Sequence, residues 1–254
     1  MILAIDVGNT NIVIGCCEED RVLFTERLSI DRTATVLEYV ISFKTVLDIY
    51  NIKPQDVEGG IISSVVPSVT QAIKSAVMKL VGKSIKVVGP GIKTGLGIKI
   101  DDPRELGADL VVGAVAAINE YPVPAIILDM GTATTASVID DNKNYIGGMI
   151  IPGVMVSLNS LATNTSQLPK ISLEAPKKVI GANTVDCMTS GIIYSTAASI
   201  DGICDRIEEE YGKKLTVIAT GGLASVIIPF CKREIIYDDD LLLKGLIILY
   251  NKNK

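Results

Sequence analysis

The chain has 254 residues, 48% hydrophobic and 21% charged, which suits one large domain or two ordinary ones and excludes a disordered chain. A formal charge of −5, no strong basic cluster, no Trp and only 4% aromatic residues argue against a nucleic-acid surface. Histidine is absent, so His-based triads are excluded and a carboxylate is the expected general base, ahead of Lys, Tyr or Cys.

Mean hydropathy is +0.41, high enough to raise the question of a membrane. The longest uncharged stretch, Asn144 to Pro169, contains Gly147, Gly148, Pro152, Gly153, Asn159, Asn164 and Gln167 and is not read as a span, because backbone and amide groups would be stranded in hydrocarbon. Asp6 interrupts the first apolar run and no basic region precedes it, so no signal peptide is expected. The hydrophobicity is assigned instead to buried parallel strands, and the cytoplasm is the expected compartment. Cys16 and Cys17 are adjacent while Cys187, Cys204 and Cys231 are scattered, which gives neither zinc spacing nor an even disulfide framework. Free, mostly buried thiols are expected.

In chain order, Ile2 to Ile5 reads as a strand ending in Asp6, and Val7-Gly8-Asn9-Thr10-Asn11 turns into a second apolar run, Ile12 to Ile14. Arg21 to Ile30 reads as strand and Ala34 to Tyr50 as an amphipathic helix. Gly59 to Val66 is a buried strand stopped by Pro67, after which Ser68 is expected to cap a helix through Leu80. Ile85 to Val88 is a short strand, and a helix is expected over about 105–119. Near the midpoint the opening pattern recurs: Ile126 to Leu128 ends in Asp129, and Met130-Gly131-Thr132-Ala133-Thr134-Thr135 leads into Ala136 to Ile139. The recurrence is read as a duplicated domain. A long loop is expected over 147–181, then a helix over 185–211 carrying Ile192, Ile193, Ile200, Ile203 and Ile207 at helical spacing. Leu215 to Ala219 is a strand entering Thr220-Gly221-Gly222-Leu223, and Asp239 or Asp240 can cap a last helix from Leu241 to Tyr250. The mixture is α/β.

The familiar nucleotide motifs are missing. Gly89 to Thr94 approaches a P-loop, but Ile92 stands where the final glycine is needed, and the Asp6 turn lacks the dinucleotide glycine pattern. What remains is two strand-end aspartates, each followed by a turn of glycine and hydroxyl residues. Such turns can aim N–H groups and Thr hydroxyls at an anion, and Asp6 could hold magnesium beside it, with Asp129 serving a second cation. The plainer alternative is a pair of Asx-type hairpin turns. Asp109, early in the 105–119 helix among apolar neighbours, is either a favourable helix-start charge or the carboxylate that orients and deprotonates an acceptor hydroxyl.

In order along nearly the whole chain, several segments resemble the type III pantothenate kinases, of the sugar kinase, Hsp70 and actin superfamily. They are Asp6-Val7-Gly8-Asn9-Thr10, Ser63-Ser64-Val65-Val66-Pro67, Gly89 to Leu96, Asp102 to Asp109, Asp129 to Thr135, Tyr145-Ile146-Gly147-Gly148, Pro152-Gly153, Leu168-Pro169, Gly181-Ala182-Asn183-Thr184, Thr220 to Leu223 and Leu243 to Leu246. The resemblance implies duplicated ribonuclease H-like (actin-like ATPase) domains with an interdomain nucleotide cleft. The first half, 1–118, would carry the phosphate turn and the acceptor-site helix; the second, 119–254, the second phosphate turn and an adenosine-side glycine turn. It implies transfer of the ATP γ-phosphate to the terminal hydroxyl of pantothenate, opening coenzyme A biosynthesis, by a cytoplasmic homodimer with no membrane or nucleic-acid partner.

By the same resemblance Asp6, Val7, Gly8, Asn9, Thr10, Asn11, Ile12 and Val13 hold ATP, with Asp6 near Mg²⁺, and Thr132 touches ATP. Gly107, Ala108, Asp109 and Leu110 meet pantothenate, Asp109 is the base, Asp129 binds K⁺ or NH₄⁺, and Thr184 reaches pantothenate in a dimeric arrangement. Three positions depart from the pattern: Leu110 stands where many members have Arg, Asn164 where a basic residue is common, and Ser195 where Gly is frequent. Losing an arginine removes fixed donors suited to phosphate or carboxylate. Two other readings stay open from the residues: a kinase of the same superfamily with another small hydroxyl substrate, and a non-catalytic regulatory homologue (Bvg accessory factor-like).

Overall fold

Six consecutive buried residues, Ile2–Val7, form β1, the middle strand of a five-stranded sheet. Both of its faces are covered, which is why its sequence is a continuous apolar run and not an alternation. The computed structural model describes residues 1–19 and 21–254. β1 pairs antiparallel with β2 (Asn11–Glu18), which pairs antiparallel with β3 (Arg21–Ser29). On its other side β1 runs parallel to β4 (Gly59–Ser64), and β4 parallel to β5 (Ile85–Val87). The order is therefore β3-β2-β1-β4-β5.

Helix α1 (Val36–Ile49) starts with a capping box, in which the Thr35 hydroxyl accepts from the Glu38 N–H and the Glu38 carboxylate accepts from the Thr35 N–H. Its Phe43 and Leu47 join Ile5, Ile14 and Ile62 of the sheet and Ile73 of α2 (Pro67–Val81) in one core. The expected cap at Ser68 is replaced: Val66 is the N-cap and Pro67 the first helical residue, since proline already has helical φ and no N–H to satisfy. Helix α3 (Ala108–Glu120) follows a single 3₁₀ turn, Pro103–Glu105, so it starts later than its periodicity suggests.

The second sheet contains β6 (Gly97–Ile98), β7 (Ala125–Met130), β8 (Ala133–Ile139), β9 (Asn144–Pro152), β10 (Thr216–Thr220) and β11 (Ile236–Tyr237), in the order β11-β10-β7-β8-β9-β6. β7 pairs antiparallel with β8 and β8 antiparallel with β9, while β7 pairs parallel with β10 and β10 parallel with β11. Read as β9-β8-β7-β10-β11, this repeats the first sheet strand for strand and direction for direction. β6 is an addition at the β9 edge.

Helices α4 (Val154–Asn164), α5 (Thr184–Tyr211) and α6 (Ala224–Ile227) bring Leu158, Ile193, Ile200 and Ile227 onto Ile126 and Leu128 of β7 to form a second core. The long loop expected over 147–181 is thus shortened from its front: β9 runs through to Pro152, α4 follows, and only 165–183 hold no helix or strand. Glycine misleads there because it serves close approach, not a turn; a β-carbon at Gly148 would stand 2.3 Å from the Ala136 carbonyl oxygen.

The last helix, α7 (Leu241–Lys252), packs on α3, β1 and β4. Contacts therefore group Met1–Gly97, Asp101–Glu120 and Asp240–Lys254 into one unit, and Ile98–Ile100 with Tyr121–Asp239 into another. The sequence boundary at 118/119 lies beside one of the crossings, whereas the C-terminal helix packs with the first unit, a return that chain order does not reveal. No helix among the described residues is long and apolar enough to cross a membrane.

Where α7 meets α3, a β-carbon on Gly245 would lie 2.2 Å from the Val112 carbonyl oxygen, so the helices are in backbone contact. Gly245→Ala should force them apart and lower the unfolding free energy by about 1–3 kcal/mol, as overpacking does. Urea unfolding of the variant checks this; an unchanged midpoint would contradict the close approach.

Candidate functional site

Asp6 lies at the carboxyl end of β1, buried, in register with Val13 of β2 and with Ser63 of β4. The turn after it is tied at two points: the Gly8 N–H donates to the Asn11 carbonyl at 2.9 Å, and the Ile30 N–H donates to the Thr10 carbonyl at 3.1 Å. Asn9, Thr10 and Asn11 are exposed, while Ile12 is buried and Val13 half-buried. The second unit repeats the device. Asp129 lies near the end of β7, in register with Thr135 of β8 and Thr220 of β10. The Gly131 N–H donates to the Ala133 carbonyl and the Gly153 N–H to the Thr132 carbonyl, both at 3.1 Å. In each unit the turn threonine's carbonyl thus receives an N–H from the residue just past the sheet's third strand, and the turn stays exposed. Gly221 closes on the second aspartate with φ +96°, and a β-carbon there would stand 2.7 Å from Asp129 Oδ1. Only glycine fits that position.

Asp109 sits in the first turn of α3, half-buried, and its Oδ1 accepts the Leu110 N–H at 2.8 Å. Gly107, Ala108 and Leu110 around it are half-buried too. A β-carbon on Gly107 would come within 2.5 Å of Asp109 Oδ1 and 3.8 Å of Val65 Cγ1. Val65 directly follows β4, and its N–H donates to the Val7 carbonyl at 3.1 Å. The start of α3 therefore stands beside the carboxyl ends of β1 and β4, the same ends that carry Asp6 and its turn. Burial raises the Asp109 carboxyl above the ordinary 3.8, opposed by the backbone N–H groups of Leu110 and of Asp109 itself. Thr184 is exposed, the first residue of α5 after its Asn183 cap, and belongs to the second unit.

The competing bases lose ground. Cys16, Cys17 and Cys204 are buried, and burial pushes their thiols up to about 11, 12 and 11 respectively. Cys231 is raised to about 12 for the same reason. A thiol so raised is not a base at neutral pH. All five cysteines are free, and three are buried, as their spacing suggested.

Among the described residues no group of three or more His, Cys, Asp or Glu is placed to hold a metal. Mg²⁺ that accompanies a nucleotide takes one or two carboxylates together with substrate phosphates and water. Two buried hydroxyls, Ser63 Oγ and Thr135 Oγ1, make no hydrogen bond, and each lies in register with one of the two aspartates. The sequence reading did not single out either as a site residue. The trace is faint: Ser63 and Ser64 interrupt an apolar strand, but only the register shows that Ser63 faces Asp6.

The type III pantothenate kinase family model matches residues 2–206. The chain is 46% identical over 254 residues to the type III pantothenate kinase of Exiguobacterium sibiricum and 43% identical over 253 residues to that of Halalkalibacterium halodurans, each covered along its full length, as is this chain. Among solved structures, a putative 2-dehydro-3-deoxygalactonokinase from Sinorhizobium meliloti superposes with a TM-score of 0.61 at 13% identity, covering 99% of this chain and 96% of that one. A putative Baf family transcriptional activator from Campylobacter jejuni gives 0.59 at 17% identity, covering 99% and 98%. These distant likenesses establish an actin and sugar-kinase type of α/β fold with two similar domains. The chain belongs to the type III pantothenate kinase family: it is an enzyme that phosphorylates pantothenate with ATP, the first step of coenzyme A biosynthesis.

Proposed function

We propose that Asp109 is the general base of this transfer, and that the Asp6 and Asp129 turns are its two phosphate-facing elements. The observation that carries the reading is a desolvated carboxylate at the start of α3, beside the strand ends that bear the Asp6 turn. In the reaction the pantothenate hydroxyl oxygen bonds to the γ-phosphorus, the bond to the bridging oxygen of ADP breaks, and the hydroxyl proton passes to the Asp109 carboxylate. Gly107, Ala108 and Leu110 shape the acceptor pocket around that carboxylate, Leu110 offering apolar contact where an arginine would offer charge. The exposed residues Asn9, Thr10 and Asn11 face the phosphates, with Gly8 closing the turn and Val7, Ile12 and Val13 fixing the strands on either side. Thr132 plays the matching part in the second unit. Thr184 reaches pantothenate across a subunit interface.

Asp6 would hold the Mg²⁺ that accompanies ATP, and Asp129 a K⁺ or NH₄⁺ ion. When bound, these cations neutralise charge that builds on the phosphate oxygens. The two units read as a duplicated ribonuclease H-like pair, a view supported by the repeated strand order and repeated turn bonds. A homodimer would give cover to some of the exposed apolar side chains Met149, Ile150, Val156, Val179, Ile180 and Val185 of the second unit.

Asp109→Asn should lower turnover by about 10²–10⁴-fold, the usual contribution of a positioned base. It should also raise the melting temperature at neutral pH, because an ionised carboxylate raised by burial opposes folding. Loss of activity through misfolding would instead lower both.

The pH dependence follows from the same shift. Catalysis needs Asp109 ionised, so the acid limb of kcat/KM should fall at higher pH than for an ordinary aspartate at 3.8. Conversely, the carboxylate's effect on stability is unfavourable above the folded-state value and fades as pH falls through it. A kcat/KM profile that holds flat down to pH 4 would refute the base.

Sedimentation should give a particle twice the 27.0 kDa chain mass. Ile180→Glu, at a side chain 81% exposed within the chain, should shift it to monomer and raise the pantothenate KM. A wild-type monomer with full activity would refute the shared site.

A further inference from the structure

Ser63 is fully buried, and its hydroxyl has no hydrogen-bond partner. Folded proteins seldom leave such a group unpaired, because burying it forfeits its bonds to water. It sits at the strand position directly paired with Asp6 in the parallel β1–β4 ladder, so the two side chains leave the sheet on the same face. Two residues further, the same segment leads to Val65, which packs near Gly107 and thus near Asp109. The corresponding place in the second unit, on the parallel strand beside Asp129, is again a buried hydroxyl residue, Thr220. A hydroxyl next to each strand-end aspartate, at equivalent positions of two sheets, is not required by packing, for which alanine or valine would serve.

We propose that Ser63 is a positioning residue for the Asp6 carboxylate: its hydroxyl donates to that carboxylate in the nucleotide-loaded enzyme and fixes the orientation in which Asp6 holds the cation of the Mg²⁺–nucleotide complex. In the ligand-free chain the hydroxyl is held in reserve, a local cost to stability kept for function. The inference rests on the assignment of Asp6 to magnesium and nucleotide.

The two common roles of a buried serine diverge in sign at this position. If Ser63 were structural, Ser63→Ala would destabilise the free enzyme. If it orients Asp6, removing an unpaired buried hydroxyl leaves the free enzyme as stable as wild type or more so, while loading weakens. The test measures Mn²⁺ binding by electron paramagnetic resonance in the presence of a non-hydrolysable ATP analogue, together with melting temperatures of the free protein. Its subjects are wild type, Asp6→Asn, Ser63→Ala and Ser63→Thr. Expected are loss of Mn²⁺ binding in D6N, about tenfold weaker binding in S63A with an unchanged or raised melting temperature, recovery toward wild type in S63T, and an unaltered pantothenate KM in S63A. Wild-type Mn²⁺ binding in S63A with D6N impaired would overturn the role of Ser63 alone. Wild-type binding in D6N would overturn the Asp6 assignment and this inference with it. A lowered melting temperature in S63A that S63T restores without any change in Mn²⁺ binding would mark the residue as structural and also overturn the proposal.

Discussion

The site in the first unit depends on the parallel pairing of β1 with β4. It brings the carboxyl ends of two buried strands side by side, so the first polar residues after the apolar runs meet at one edge of the sheet. Asp6, Ser63 and the Gly8 to Asn11 turn come from that edge directly, and Asp109 arrives there because Gly107 packs toward Val65 just past β4. A sheet of this kind buries its strands on both faces and so leaves its ends as the place where polar chemistry can sit without disturbing the core. The second unit reproduces the arrangement through β7 and β10, with Asp129 and Thr220 in register.

Two kinds of carboxylate environment follow. At the strand ends, Asp6 and Asp129 stand at the base of exposed turns. At the helix start, Asp109 is partly removed from water and has no neighbouring cation among the causes of its shift; burial dominates. A cation beside it would make it a weaker base, whereas desolvation raises the carboxyl and makes it a stronger one. In the absence of histidine, and with the buried thiols pushed far above neutrality, that is the chemistry available to this chain.

Much of the fold was legible because the central strands β1 and β7 are apolar runs ending in Asp, and the Asp-Gly-Thr repeat announced two similar halves. Three features escaped for physical reasons. Gly147 and Gly148 look like a loop, yet a glycine in β9 answers the backbone of β8. Helix α7 follows the second half in sequence but packs on α3, β1 and β4, since chain order carries no information about long-range return. Ser63 is placed beside Asp6 by register, and register between β1 and β4, more than fifty residues apart in the chain, is set by tertiary packing. The ordered family segments, by contrast, were visible directly, and family membership removes both the regulatory reading and the other-substrate reading despite Leu110.

The most direct test is a crystal structure with pantothenate and a non-hydrolysable Mg²⁺–ATP analogue bound. The account predicts the terminal hydroxyl of pantothenate within about 2.6–3.2 Å of an Asp109 carboxylate oxygen, the reach of a working base, and the γ-phosphate against the Gly8 to Asn11 turn. A hydroxyl turned toward another carboxylate, with Asp109 facing only its own helix, would contradict it.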